Sequence, residues 1–393
     1  MPQRCITGPQ ANHYNTGMGR AAIGNDVRPA VQRMLRDAVE RRASDLHLEP
    51  TAAGYELRSR VDGLLITDRQ LDVATGRAYV NRLMVAAGLL TYRLDVPQEG
   101  RLAVTLQPEP DKATPRADAA ADLPRAVDLR LAVMPTTHGL RAVVRLPAEL
   151  VQPRSLDALD LPTSARDALQ RFAVADAGML LLCGPAGSGK TTAIYALLEH
   201  IVSRAAGVSV VSLEDPVERD LPGVTQIEVT PFGELTYQTA LRSIVRQDPQ
   251  VLALGEIRDT ATASIAVQAA LSGHRLVSTL HAGSPEGAMV RLLEMGLEPY
   301  QVASSLFAVV SVRLLRRGSE KAGYRGRTPV AEVATVTPAV RAALLERSEA
   351  GALREAVTVP PGFCSLHRAA AGLVEAGVTD AAEVARVLGT PPD

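Results

Sequence analysis

The sequence predicts an α/β protein: a parallel sheet flanked by helices, preceded by a small α+β unit and followed by a mostly helical C-terminal part. Three observations predict this. A short apolar run, Gly178 to Cys183, leads into a glycine loop and then a helical pattern. From Thr163 onward, apolar runs alternate with helical stretches, the order expected of a parallel sheet. Ahead of Thr163, short segments alternate apolar and polar residues and are punctuated by hairpin signals.

Composition sets the bounds. The chain has 393 residues, a prior for two or three domains. At 46% hydrophobic and 22% charged, with a formal net charge of −1, it has a globular composition and no global field for nucleic acid or an anionic membrane. Aromatic content is 3% and there is no Trp, which argues against a base-stacking platform. No run of about 18 apolar residues predicts a membrane span, and the polar stretch Met1 to Asp26 lacks a signal-peptide core. Cys5, Cys183 and Cys364 are far apart and give neither zinc spacing nor a disulfide framework. These features fit a cytoplasmic location.

Residues 1–25 read as a disordered tail. Residues 26–147 read as the α+β domain. Asp26 is placed to cap a helix with Val27, Val31, Met34, Leu35, Ala38 and Val39 on one face. Leu46 and Leu48 alternate with Asp45, His47 and Glu49, Gly54 turns the chain, and Asp62-Gly63 marks a hairpin. A helix over 75–88 follows, then a Pro/Ala/Asp-rich insertion over 107–125, then strands at Val127 to Val133 and Leu140 to Leu146. Residues 148–162 read as a linker and 163–312 as the parallel α/β domain. Strands are predicted at 179–183, 208–214, 250–255 and 275–280. Past 299 the chain reads mostly helical, and 313–393 is the C-terminal part.

Gly184-Pro185-Ala186-Gly187-Ser188-Gly189-Lys190-Thr191 fits the phosphate-cradling P-loop and sits between a strand and a helix, as that motif requires. The glycines let the backbone approach a polyphosphate, and the N–H groups of the loop and the helix start face the anion. Lys190 is placed to reach the β- and γ-phosphates of a nucleoside triphosphate; Thr191 is placed to ligate Mg²⁺, with Thr192 beside it. Hydrolysis needs acids at neighbouring strand ends. Val210 to Glu214 ends in Glu214-Asp215-Pro216, and Val251 to Gly255 runs into Glu256. Either carboxylate can hold Mg²⁺ through water or orient the attacking water. His281 ends the next strand, where it would sense the γ-phosphate. Arg242 and Arg246 lie four apart on one helix face, and Arg130 and Arg145 lie in the N-terminal sheet. Spacing alone does not select among these arginines.

The motifs together resemble the secretion ATPases of type II secretion and type IV pilus assembly, the GspE/PilB kind. The matching residues are Ala43 to Pro50, Arg60 to Gly63, Met134 to Gly139, the P-loop, and Leu213 to Glu218 as the Asp box. Leu241 to Pro249, Gly255 to Asp259, Gly273 to His281 as the His box, and Gly323 to Arg327 complete the set. The resemblance implies a RecA-like ATPase domain preceded by a PAS-like α+β domain, using ATP and Mg²⁺ and working as a homo-hexamer on the cytoplasmic face of the inner membrane. Its implied partners are a membrane platform protein and a docking protein, with no nucleic acid. It further implies that Glu214 activates water, that Glu256 acts near Mg²⁺, and that Arg130, Arg145, Arg242 and Arg246 reach the phosphates.

Three departures stand out. The four-cysteine zinc module of many relatives is replaced by Arg316 to Ala322, so no zinc is expected. Only about 25 residues precede the first helix, leaving no room for the usual N-terminal docking domain. Ala282-Gly283-Ser284 stands where Thr-Asn-Asp is common. A pilus-retraction ATPase, a RecA-like nucleic-acid motor and an ATP-binding scaffold are the alternative readings.

Overall fold

The computed structural model describes residues 27–106, 125–146, 155–205, 207–229, 235–346, 349–360 and 362–390. The expected tail, the cap at Asp26, the insertion over 107–124 and the linker up to 154 lie outside them.

The first domain opens with α1 (Val27–Glu40), whose Val31, Met34, Leu35 and Ala38 are buried as their spacing predicts. β1 (Asp45–Pro50), β2 (Tyr55–Val61) and β3 (Leu64–Leu71) follow, then α2 (Val73–Ala86), capped by Asp72 accepting from the Thr75 amide. β4 (Gln98–Leu106), β5 (Arg125–Thr136) and β6 (Gly139–Arg145) complete the sheet. All six strands are antiparallel, in the order β3-β2-β1-β6-β5-β4. Leu46, Leu48, Leu131, Val133, Ala142 and Val144 point to one face and pack under α1 and α2. Register sets the other face. Arg60, Asp45, Arg145, Arg130 and Arg101 stand opposite one another in a single row across five strands. Residues directly paired in register share a face, so four guanidinium groups and one carboxylate share that row.

The second domain contains α3 (Thr163–Ala173), β7 (Gly178–Cys183), α4 (Lys190–Arg204), β8 (Val210–Glu214), β9 (Thr225–Glu228), α5 (Tyr237–Ile244), β10 (Val251–Leu254), α6 (Thr260–Leu271), β11 (Arg275–Leu280), α7 (Pro285–Glu294) and α8 (Pro299–Ser305). Then come β12 (Leu306–Ser319), β13 (Gly323–Thr335), α9 (Pro338–Leu345), α10 (Ala350–Thr358), α11 (Leu366–Glu375) and α12 (Ala381–Leu388). The seven-stranded sheet has the order β13-β12-β7-β11-β10-β8-β9, parallel except for the β12–β13 hairpin. β7 is buried on both sides. Leu180 and Leu182 pack toward α3 and α4, while Met179, Leu181 and Cys183 pack toward α6 through α10. That is why its sequence is a continuous apolar run rather than an alternating one.

The structure corrects the expectation that the chain past 299 is mostly helical. Helices do dominate from Pro338, but Leu306–Ser319 and Gly323–Thr335 are the two longest strands of the chain's described residues. Leu306 to Val310 is apolar at every position and has no period-two signature, so periodicity does not separate strand from buried helix there. Parallel pairing of β12 with β7 decides it.

Among the described residues, the two domains meet at the β2–β3 turn, where Asp62 also lies 4.0 Å from Arg327, and at the edge strand β9. The Gly326 amide donates to Asp62 Oδ2 at 2.7 Å, joining the β2–β3 turn to the β12–β13 hairpin. Arg101 lies 3.5 Å from Glu228.

Candidate nucleotide site

The P-loop, Glu214, Glu256 and His281 all lie at the carboxyl ends of parallel strands, β7, β8, β10 and β11, which is where ligands bind in open α/β sheets. Gly184 has φ +146°, and a Cβ there would stand 2.6 Å from the Val312 carbonyl oxygen and 2.7 Å from Ser188 Oγ. The loop can follow its path only with glycine at that position. Gly189, at φ 96°, is the N-cap of α4, so the helix N-terminus opens directly onto the loop. Lys190 is buried and donates from Nζ to the carbonyls of Gly184 and Pro185, each at 2.8 Å. Burial lowers its pKa, while Cys183 and Glu256 act in the opposite direction. Thr191 and Thr192 are half-buried in the first turn of α4.

Glu214 is 6% exposed and ends β8. Its Oε1 accepts from Ser212 Oγ at 2.6 Å and Gln226 Nε2 at 3.0 Å, and its Oε2 accepts from the Tyr195 hydroxyl. Burial is the main cause that pushes the Tyr195 phenol well above the usual tyrosine range, and the Glu214 charge adds to it. Glu256 is more open. Its Oε1 accepts from Arg258, and its Oε2 lies 3.3 Å from His281 Nε2. Arg258 also approaches Asp215 at 3.6 Å, so one guanidinium spans the acids of two strand ends. The Asp215–Pro216 peptide is cis.

Arg130 and Arg145 stand side by side in the row described above, with Arg145 Nε 3.3 Å from Asp45 Oδ1. Their charges are felt at Glu218, on the other domain. Packing raises the Glu218 carboxyl above its ordinary range although its surface stays open; Arg145 and Arg130 pull it down, and Glu214 adds to the rise. Arg242 and Arg246 are not brought to this cluster. Both are exposed and line a cavity of about 490 Å³ between α5 and α6 with Ser264 and Gln268, and no P-loop residue lines that cavity.

The family described as "Type II/IV secretion system protein" matches residues 24–386 of this sequence. The chain belongs to this family. One relative, the type II secretion system protein HxcR of Pseudomonas aeruginosa, is 33% identical over 383 residues, 93% of this chain and 78% of that one. The type II secretion system ATPase E of Vibrio cholerae is 33% identical over 393 residues, 91% of this chain and 74% of the relative. Among solved structures, the ATPase DotB of Legionella pneumophila superposes with a TM-score of 0.70 at 18% identity, covering 93% of this chain and 96% of that one. The pilus retraction motor PilT with bound ADP gives a TM-score of 0.55 at 22% identity, covering 86% and 95% of the two chains. At these identities the likeness is one of fold, a RecA-like ATPase domain behind an α+β domain. The P-loop and the family together make the chain an ATP-hydrolysing enzyme of the secretion type.

Sequence reasoning missed several residues that shape the site in this family member. Tyr195, Ser212 and Gln226 hold Glu214, yet each is an unremarkable polar residue inside an apolar or turn pattern. Arg258 was visible only as part of the Gly255 to Asp259 motif. Arg313 donates to the carbonyls of Val312 at 2.9 Å and Gly283 at 2.6 Å, tying β12 to the loop after His281. Among the described residues, no group of three or more His, Cys, Asp or Glu is arranged to hold a metal ion, and no helix is long and apolar enough to cross a membrane.

Proposed function

We propose that this chain is the ATP-driven motor of a type II secretion or type IV pilus-like assembly machine, acting as a homo-hexamer on the cytoplasmic face of the inner membrane. The observation that carries this reading is the arginine row on one domain, whose Arg101 lies 3.5 Å from Glu228 on the other and whose Arg145 and Arg130 charges reach Glu218 of the Asp box. Triphosphate held by the P-loop would lie between a cradle of N–H groups and a row of guanidinium groups. Phosphoryl transfer spreads negative charge over the equatorial oxygens, and guanidinium groups stabilise that charge. Loss of the γ-phosphate removes the anion that draws the two domains together, and their relative movement is what a motor passes to its partner.

Within the site, Lys190 and the loop amides bind the β- and γ-phosphates. Glu214 orients the attacking water, and His281, against Glu256, senses the γ-phosphate. The Thr191 hydroxyl and the Glu256 carboxylate are hard oxygen donors that suit Mg²⁺, which when bound would neutralise charge on the β- and γ-phosphates. Arg242 and Arg246, both exposed, would reach phosphate on a neighbouring subunit of such a ring. Partners would be the platform and docking proteins of the machine.

Lys190→Ala should abolish ATP turnover, and Arg130→Ala with Arg145→Ala should lower kcat by about a hundredfold, an arginine's usual weight in phosphoryl transfer being at least that large. Wild-type turnover in the arginine variant would remove the two-domain reading.

A further inference from the structure

Glu214 has one acceptor position to spare, and its location is defined. A carboxylate offers about four acceptor sites, two on each oxygen. Oε1 uses both of its sites, on Ser212 Oγ at 2.6 Å and Gln226 Nε2 at 3.0 Å. Among the described residues, Oε2 accepts only from Tyr195, so the remaining lone pair is on Oε2. The direction of that lone pair depends on where the Tyr195 hydroxyl sits.

Tyr195 is itself held firmly. It is 2% exposed, and its hydroxyl oxygen accepts from the Glu218 amide at 3.2 Å. Its ring lies 5.4 Å from the Arg219 guanidinium carbon, and Arg219 pairs at 3.1 Å with Glu199, four residues further along α4. Lys190 opens the same helix. One rigid element therefore carries the lysine that meets the phosphates and the phenol that meets the carboxylate.

We infer that Tyr195 is a positioning residue for hydrolysis: it aims the free acceptor site of Glu214 Oε2 at the attacking water and fixes that site relative to the P-loop. The inference rests on the reading of Glu214 as the carboxylate that activates water. In the step it serves, the water O–H donates to Oε2. The water oxygen then forms a bond to the γ-phosphorus as the bond from that phosphorus to the β–γ bridging oxygen breaks. The proton passes to Oε2, and ADP leaves with the electron pair.

The test compares Tyr195→Phe, Ser212→Ala and Glu214→Gln in the full chain by kcat, KM for ATP, affinity for a fluorescent ATP analogue, and melting temperature. Tyr195→Phe should lower kcat about tenfold or more, the weight of a hydrogen bond to a charged group, with KM, affinity and melting unchanged. Ser212→Ala, which touches only Oε1, should lose less. Three results would overturn the role: kcat of Tyr195→Phe within twofold of wild type, a loss matched by nucleotide affinity or melting, or an equal loss in Ser212→Ala. Glu214→Gln separates the two readings. If it hydrolyses ATP normally, the role of Glu214 falls and that of Tyr195 with it. If it is inactive while Tyr195→Phe is normal, only the role of Tyr195 falls.

Discussion

Replacing Glu383 with Gln should release α12 from the β12–β13 hairpin. Glu383 is 0% exposed and accepts five charge-assisted or amide bonds: from the Arg316 amide at 2.9 Å, Arg316 Nε at 2.9 Å and Nη2 at 2.6 Å, and Arg386 Nε at 2.7 Å and Nη2 at 2.6 Å. Burial alone would raise its pKa; the bonds from Arg386 and Arg316 outweigh burial and hold the carboxyl at about 2 against an ordinary 4.5. That difference corresponds to about 3 kcal/mol in favour of the folded, charged form. It also falls at the lower edge of what breaking a buried ion pair costs, roughly 3–5 kcal/mol. The hairpin this carboxylate clamps runs beside the P-loop strand and offers Gly326 to Asp62, so the clamp braces both the site and the domain contact. Hydrogen exchange followed by mass spectrometry over 366–390 is the assay, because this unit can open without global unfolding. At pH 7 the variant should exchange about a hundredfold faster there, the factor that about 3 kcal/mol implies. The acid dependence has a definite sign. A depressed carboxyl contributes its full stability above pH 4.5 and loses it as pH falls toward 2, so wild-type protection, corrected for intrinsic exchange, should decline across that window while Glu383→Gln stays flat. Unchanged protection at pH 7 in Glu383→Gln would refute the reasoning.

Gly184→Ala should lose nucleotide affinity, since its Cβ would meet the Val312 carbonyl at 2.6 Å; binding of a fluorescent nucleotide at wild-type affinity would contradict this. Asp62→Ala removes the acceptor of the Gly326 amide, so amide exchange across 323–327 should rise by about tenfold, the weight of one hydrogen bond to a charged group. Single-stranded DNA added to the ATPase should leave turnover unchanged, and strong stimulation would favour a nucleic-acid motor instead.

The P-loop was legible in the sequence because its demands are local. Eight consecutive residues supply the positive φ angles, the helix start and the lysine, and the apolar strand before them needs no partner to be seen. The carboxylates at the ends of β8 and β10 were legible for the same reason, each closing its own apolar run. The two strands after Ser305 were not. Leu306 to Val312 is buried on both faces, so its pattern fits helix and strand alike, and only pairing with β7, more than a hundred residues earlier, chooses between them.

What the sequence alone determined is therefore the set of local conformations: the glycine loop, the alternating strands of the first domain, and the helix bearing Arg242, which ends at Ile244 before the predicted Arg246. Tertiary structure decided which of those residues share a site. Only register aligns Arg60, Asp45, Arg145, Arg130 and Arg101 in one row, and only packing places Tyr195 against Glu214 and turns Arg242 and Arg246 away from the P-loop. Periodicity is carried by neighbours along the chain, whereas hydrogen bonds such as that from Gly326 to Asp62 close across 264 residues and leave no trace in either segment's own pattern.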